Sequence, residues 1–163
     1  MNIWFVDDRA SNRAAWRASF PEAIRKASAL RTFESVPDIF AAFDAGEWPD
    51  VLFVDFFLKD FTGLDVVERV LADARPTPLL IAHSTLSPAN AQLLAAGAHL
   101  TLEKRRNMPR TQSIVDTFRT PADLERPGIT AAGRHAAGGG SAVRTGGGPA
   151  GLGPLLRHAL RPG

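Results

Sequence analysis

Five polar residues end apolar runs in this chain. Asp7 and Asp8 follow NIWFV, Asp55 follows VLFV, Ser84 ends LLIAHS, and Lys104 ends HLTLEK. A lone carboxylate buried inside a segment such as VLFVDFF is costly unless something compensates it. At the mouth of an apolar run the same carboxylate can meet a cation. Three carboxylates brought together repel one another, and each resists ionisation until a positive charge neutralises them. An all-oxygen set with few protein groups suits Mg²⁺, which keeps several waters in an octahedral shell. A lysine and a hydroxyl on the far side suit the oxygens of a transferred phosphoryl group. The residue types therefore describe a Mg²⁺-dependent phosphoryl site with a carboxylate nucleophile.

Such a site needs a scaffold that gathers distant residues. The pattern predicts five strands alternating with five helices over residues 1–120. Asn2–Val6 reads as a buried strand, and Ser11-Asn12 as the cap of a helix that Pro21 interrupts. Ala29–Phe33 is a second strand, and Glu34-Ser35 opens a helix that Gly46 ends. VLFVD is the most apolar strand. A loop with Gly63 follows it, and then a helix through Leu64, Val67, Val70 and Leu71. LLIAHS (79–84), a helix around Asn90–Ala96, the strand 99–104 and a last helix with Pro109 in its first turn complete the series. Continuous apolar strands interleaved with helices indicate an α/β fold, a five-stranded parallel sheet covered on both faces. The flavodoxin-like order 2-1-3-4-5 is the leading arrangement. The crevice of such a sheet lies beyond the carboxyl ends of its strands, where all five polar groups fall.

The composition excludes several classes. The chain has 163 residues, no cysteine, and 45% hydrophobic against 22% charged residues, which is ordinary for one globular domain. No apolar run is long enough to span a bilayer, and the Met1 end has no signal-peptide pattern, so a cytoplasmic location is expected. The net charge is +2, but residues 1–120 carry −1 and residues 121–163 carry +3, so the basic character gives no case for nucleic-acid binding. Eleven of the 14 glycines lie beyond residue 127. Residues 121–163 are therefore expected to be a flexible, disordered Gly/Pro/Arg-rich tail, because such a segment cannot offset its ordering entropy by burial.

With these residues in place, the chain resembles the receiver domain of two-component response regulators, of the single-domain chemotaxis type. The likeness rests on Asp7-Asp8, Asp55, Gly63 eight residues beyond it, Ser84, and Lys104 seven residues past Gly97. It covers about residues 1–120. The resemblance implies that Asp55 accepts a phosphoryl group from a phosphohistidine on a sensor histidine kinase. It implies Mg²⁺ held by Asp8, Asp55 and the Phe57 backbone carbonyl, with Asp7 helping through water. Lys104 and Ser84 would each meet a phosphoryl oxygen. The last two strands and helices would then switch contacts with a downstream protein, or with a second copy of the chain. Such a domain is a signalling switch rather than an enzyme. The sequence departs from the family in four places: Arg105 stands where proline usually follows the lysine, Leu58-Lys59 replaces Met-Pro, Thr101 replaces an aromatic, and the Ser84–Gly97 segment is short.

Two rivals follow. The missing proline after Lys104 and Thr101 at the aromatic position favour a pseudo-receiver, an unphosphorylated protein-interaction platform. The intact acidic trio and Lys104 argue against it. A dehalogenase-type phosphatase would need Asp-x-Asp after the first strand, and the adjacent Asp7-Asp8 does not fit it. His83, being next to Ser84 in a strand, should face away from the site if Ser84 faces it. The histidines have no metal-ligand spacing. Gly146–Gly151 formally matches a dinucleotide loop but lacks the strand and helix that such a loop joins. The aromatics on the strands read as core.

Overall fold

The computed structural model describes residues 1–105 and 108–125. β1 (Asn2–Val6) leads through α1 (Ala10–Ser19) and α2 (Glu22–Ala27) to β2 (Ala29–Phe33), and α3 (Val36–Asp44) leads to β3 (Val51–Val54). A short hairpin of β4 (Phe57–Leu58) and β5 (Phe61–Thr62) precedes α4 (Gly63–Leu71). Then come β6 (Leu79–Ala82), α5 (Ser87–Ala96), β7 (Leu100–Thr101), α6 (Gln112–Thr117) and α7 (Pro121–Glu125).

The main sheet has the order β2-β1-β3-β6-β7, with every pair parallel. This is the order expected from the sequence, once the hairpin is set aside. Alternation along each strand divides the core in two. Trp4, Val6, Leu52, Val54, Leu80 and Ala82 pack on one face with α3, α4 and α5. Ile3, Phe5, Val51, Phe53, Leu79 and Ile81 pack on the other with Trp16, Phe20, Ile24, Ile114, Phe118 and Leu124. Both faces are covered, so the central strands β3 and β6 are apolar and buried at every position.

Local structure follows the sequence signals in some places and corrects them in others. Ser35 caps α3 as expected, accepting from the Asp38 amide at 3.2 Å. Gly46, just past the end of α3, has φ +85, a conformation that glycine adopts without strain. Ser11-Asn12 does not cap α1; the helix begins at Ala10 with Arg9 as its cap, and Asn12 turns towards Asp7 instead. Pro21 ends α1 as expected, but it also caps α2, a helix the pattern did not reveal. Pro109 lies before α6 rather than in its first turn, since the helix starts at Gln112. The strand expected over 99–104 pairs only at Leu100–Thr101, although the Leu102 and Lys104 amides still donate to Ala82 and Ser84. Pro121–Glu125, placed in the tail by composition, forms α7 with Leu124 buried against the second core face. The packed chain thus runs past residue 120. The rest of the expected tail lies outside the described residues.

Candidate functional site

The carboxyl ends of β1 and β3 place two carboxylates side by side. Asp7 comes one residue after Val6 and Asp55 one after Val54, and the register pairs Val6 with Val54. Asp7 is fully buried and Asp55 is 6% exposed, while Asp8 is half-buried at the mouth. One oxygen from each of the three carboxylates lies within 4.8 Å of the others.

Their partners define the electrostatics. Asp7 Oδ1 accepts from the Arg9 amide at 2.8 Å, and both Asp7 oxygens accept from Asn12 Nδ2 at 3.1 and 3.0 Å. Asp55 Oδ1 accepts from the Phe56 amide at 2.9 Å. The Lys104 ammonium reaches across from beyond β7, donating to Asp7 Oδ2 at 2.5 Å and lying 2.9 Å from Asp55 Oδ2. Lys104 is itself 6% exposed and sits over the Phe5 ring at 5.6 Å. Burial pushes the Asp55 carboxyl above its ordinary pKa, with the Asp7 charge adding to the rise, although Lys104 opposes both. Asp55 is therefore a carboxylate held under electrostatic tension, and a bound divalent cation would relieve it.

Gly63 lets this peptide sit where it does. A Cβ at that position would lie 2.3 Å from the Asp55 carbonyl oxygen and 2.8 Å from Val54 Cγ1. The Gly63 amide in turn donates to the Phe56 carbonyl at 2.8 Å, fixing the start of α4 against the loop that carries Asp55.

A crevice of about 370 Å³ opens beside these groups, lined by Asp8, Arg9, Asn12, Asp55, Phe57, Thr85, Leu86 and Lys104. Of the residues expected from the sequence, Asp7, Asp8, Asp55 and Lys104 are brought together, and Phe57, an exposed residue, lines the same crevice. Ser84 does not line it. Ser84 is 1% exposed and its hydroxyl has no hydrogen-bond partner among the described residues, while its backbone amide and carbonyl are both bonded by the Asn90 side chain. The hydroxyl-bearing residue on the crevice wall is the next one, Thr85. His83 does not face away from the site's side of the sheet: its ring packs against Phe5 and Phe53, the side chains that precede Asp7 and Asp55 on the same face.

Asn12, Arg9, Thr85 and Leu86 were not among the residues the sequence reading placed at the site. Asn12 carried a signal, since it stands five residues after Asp7 near the start of a helix, but the same signal reads as a cap. Thr85 differs from Ser84 by one position, and only the course of the chain beyond β6 decides which of them meets the crevice.

The three carboxylates pass a simple test for a hard divalent ion. They are oxygen donors on two rigid strand ends, close enough to share one ion, and a crevice beside them leaves room for water.

Neither a family model nor a curated protein matches the sequence. Solved structures do. The chain is similar to the signal receiver domain of a response regulator from Bermanella marisrubri, at 21% identity over 77% of this chain and 98% of that one, with a TM-score of 0.58. It is similar to the chemotaxis response regulator CheY4 of Vibrio cholerae, at 21% identity over 71% and 93% of the two chains, with a TM-score of 0.55. A beryllofluoride-activated DrrB receiver domain matches at 21% identity over 77% and 97%, with a TM-score of 0.56. The chain has the CheY-like receiver fold.

Proposed function

We propose that this chain is a phosphorylatable receiver in a two-component relay, with Asp55 as phospho-acceptor and a sensor histidine kinase as donor. The observation that carries the reading is the convergence of Asp7, Asp8 and Asp55 with the Lys104 ammonium at one crevice. In the transfer step an Asp55 carboxylate oxygen attacks phosphorus, the P–N bond to the donor imidazole breaks, and the imidazole departs with that electron pair. Mg²⁺ bound by Asp8, Asp55 and the Phe57 carbonyl, with Asp7 acting through water, would screen the approach of two anions and stabilise charge on the phosphoryl oxygens. Lys104 pairs with one of those oxygens. Ser84 was expected to meet another; Thr85 is better placed, because its side chain already lines the crevice whereas Ser84 is enclosed. Asn12 holds the Asp7 carboxylate in place by donating to both of its oxygens.

The downstream partner, or a second copy of the chain, would be met through β7 and the helices that flank it. The reading needs no catalytic turnover and no nucleic acid. No described helix is long and apolar enough to cross a membrane.

A pseudo-receiver remains the second reading, favoured by the enclosed Ser84 hydroxyl and the exposed Thr101. A Mg²⁺ titration followed by calorimetry, then beryllofluoride addition, separates the two. A receiver binds the ion and then the phosphoryl mimic, and Asp55→Ala loses both. Absence of Mg²⁺ binding to the wild-type chain favours the platform.

A further inference from the structure

Lys104 must be held in place, and its segment lies beyond regular strand pairing. The Leu102 and Lys104 amides tie it to β6 and its extension, and Ser113 Oγ donates to the Glu103 carbonyl at 2.8 Å. β7 pairs with β6 over only two residues, and Lys104 lies three residues beyond the end of β7. Arg105 follows it, so no proline ring restricts the loop at that point.

The ladder is also broken between Leu102 and Lys104. The Leu102 amide donates to Ala82 at 2.9 Å and the Lys104 amide to Ser84 at 3.1 Å. A regular parallel ladder would complete this pattern with the Ser84 amide donating to the Leu102 carbonyl. Here that amide donates instead to Asn90 Oδ1 at 2.8 Å, which would leave the Leu102 carbonyl without its ladder partner. A side chain fills the gap: His83 Nδ1 lies 2.5 Å from that oxygen. A carbonyl can only accept, so Nδ1 carries the proton.

We propose that His83 is the positioning residue for Lys104, its Nδ1–H replacing the diverted ladder bond and fixing the Leu102–Lys104 segment so that the ammonium reaches Asp7 and Asp55. The surroundings fit this task. His83 is fully buried, and its ring stands edge-on to Phe5 at 5.4 Å and to Phe53 at 5.7 Å, which leaves it little freedom to turn. Phe5 also lies beneath the Lys104 ammonium, so the two side chains share one wall. Burial, with the Lys104 charge second, pushes His83 down to about 3, so the ring is neutral and the Nδ1 donor persists. The role as a clamp stands on this geometry, and its consequence for phosphoryl chemistry rests on the proposed function.

The test uses the full chain and two readouts. The first is the ¹⁵N signal of the Lys104 ammonium in the metal-free protein, assigned with Lys104→Met. The second is beryllofluoride affinity in the presence of Mg²⁺. The wild-type chain should show a slowly exchanging ammonium. His83→Phe, which keeps the ring but not the donor, should lose that signal and bind beryllofluoride roughly tenfold more weakly, a change comparable to one hydrogen bond. His83→Asn, whose Nδ2 can stand where Nδ1 stood, should restore both. If the phenylalanine variant does not fold, His83→Leu takes its place in the same comparison. An unchanged ammonium signal in the donor-less variant, or an asparagine variant no better than it, overturns the proposal. A wild-type chain that ignores beryllofluoride overturns the function reading instead, and the ammonium comparison still decides the clamp.

Discussion

At the scale of single residues, the site is a balance of buried charges. Lys104 is set against Asp7 and Asp55, with all three nearly inaccessible to solvent. Removing the one cation of this set leaves two buried carboxylates uncompensated, at a cost of about 3 kcal/mol or more. Lys104→Met should therefore destabilise the metal-free fold by about that much in urea unfolding. The same change should tighten Mg²⁺ binding, since the ion no longer competes with the ammonium for two carboxylates. Asp55→Asn should act in the opposite sense on stability. It removes a carboxylate whose burial and closeness to Asp7 both disfavour its charge, and the melting temperature should rise while Mg²⁺ affinity falls.

His83 gives a pH signature at the same scale. Its folded pKa is pushed down to about 3, below the unfolded value of about 6.5. Above pH ~6.5 both states are neutral and the group has no effect. As pH falls below that value, the unfolded chain takes a proton that the folded chain refuses. Stability should drop by up to about 1.4 kcal/mol per pH unit from this group alone. Asp55 contributes with the reverse sign: its raised folded pKa means the fold gains stability as pH falls through it. Denaturant unfolding of wild type and His83→Phe across this range should show the acid-side decline reduced in the variant. Equal slopes would contradict the assignment of the decline to His83.

At the scale of elements, Gly63 joins α4 to the loop that bears Asp55. A Cβ there meets a backbone oxygen at 2.3 Å rather than a yielding side-chain tip. Gly63→Ala should shift the Asp55 peptide, weakening Mg²⁺ binding and destabilising the fold by about 1–3 kcal/mol. Calorimetry and thermal melting check both effects. The elements also show what the sequence could reveal. β1, β3 and β6 were legible because strands buried on both faces must be apolar at every position, and Asp7 and Asp55 were legible as the points where that run stops. β7 was overdrawn because HLTLEK has a strand's composition while its pairing is fixed by a neighbour. The hairpin of β4 and β5 and the short α2 are two- and six-residue elements, too short for a period to register. For Ser84 the difficulty was phase rather than length. Alternation continues past Ala82: His83 shares the face of Phe5, Phe53 and Ile81 that leads to Asp7 and Asp55, and Ser84 is enclosed beside Asn90.

At the scale of the whole molecule, two separate core faces meet at one crevice. The face carrying Trp16, Phe53 and Phe118 is closed by Leu124 of α7, beyond the boundary that composition had drawn. Ending the chain after residue 120 should therefore expose apolar surface and destabilise the domain by about 2 kcal/mol, the worth of one buried leucine side chain. Ending it after residue 125, which keeps α7 and Leu124, should leave the melting temperature unchanged. Paired thermal melts of the two shortened chains decide this. α7 was not legible because the five residues PADLE are too few for a helical period to register.

In the proposed receiver the acidic residues and Lys104 converge so that one carboxylate, Asp55, can take a phosphoryl group. The most direct measurement is to incubate the full chain with acetyl phosphate and Mg²⁺, trap any acyl phosphate by borohydride reduction, and map the modified residue by mass spectrometry. Modification is expected at Asp55, requiring Mg²⁺ and disappearing in Asp55→Ala. Label found at another residue, or no label on a folded wild-type chain that binds Mg²⁺, would contradict it.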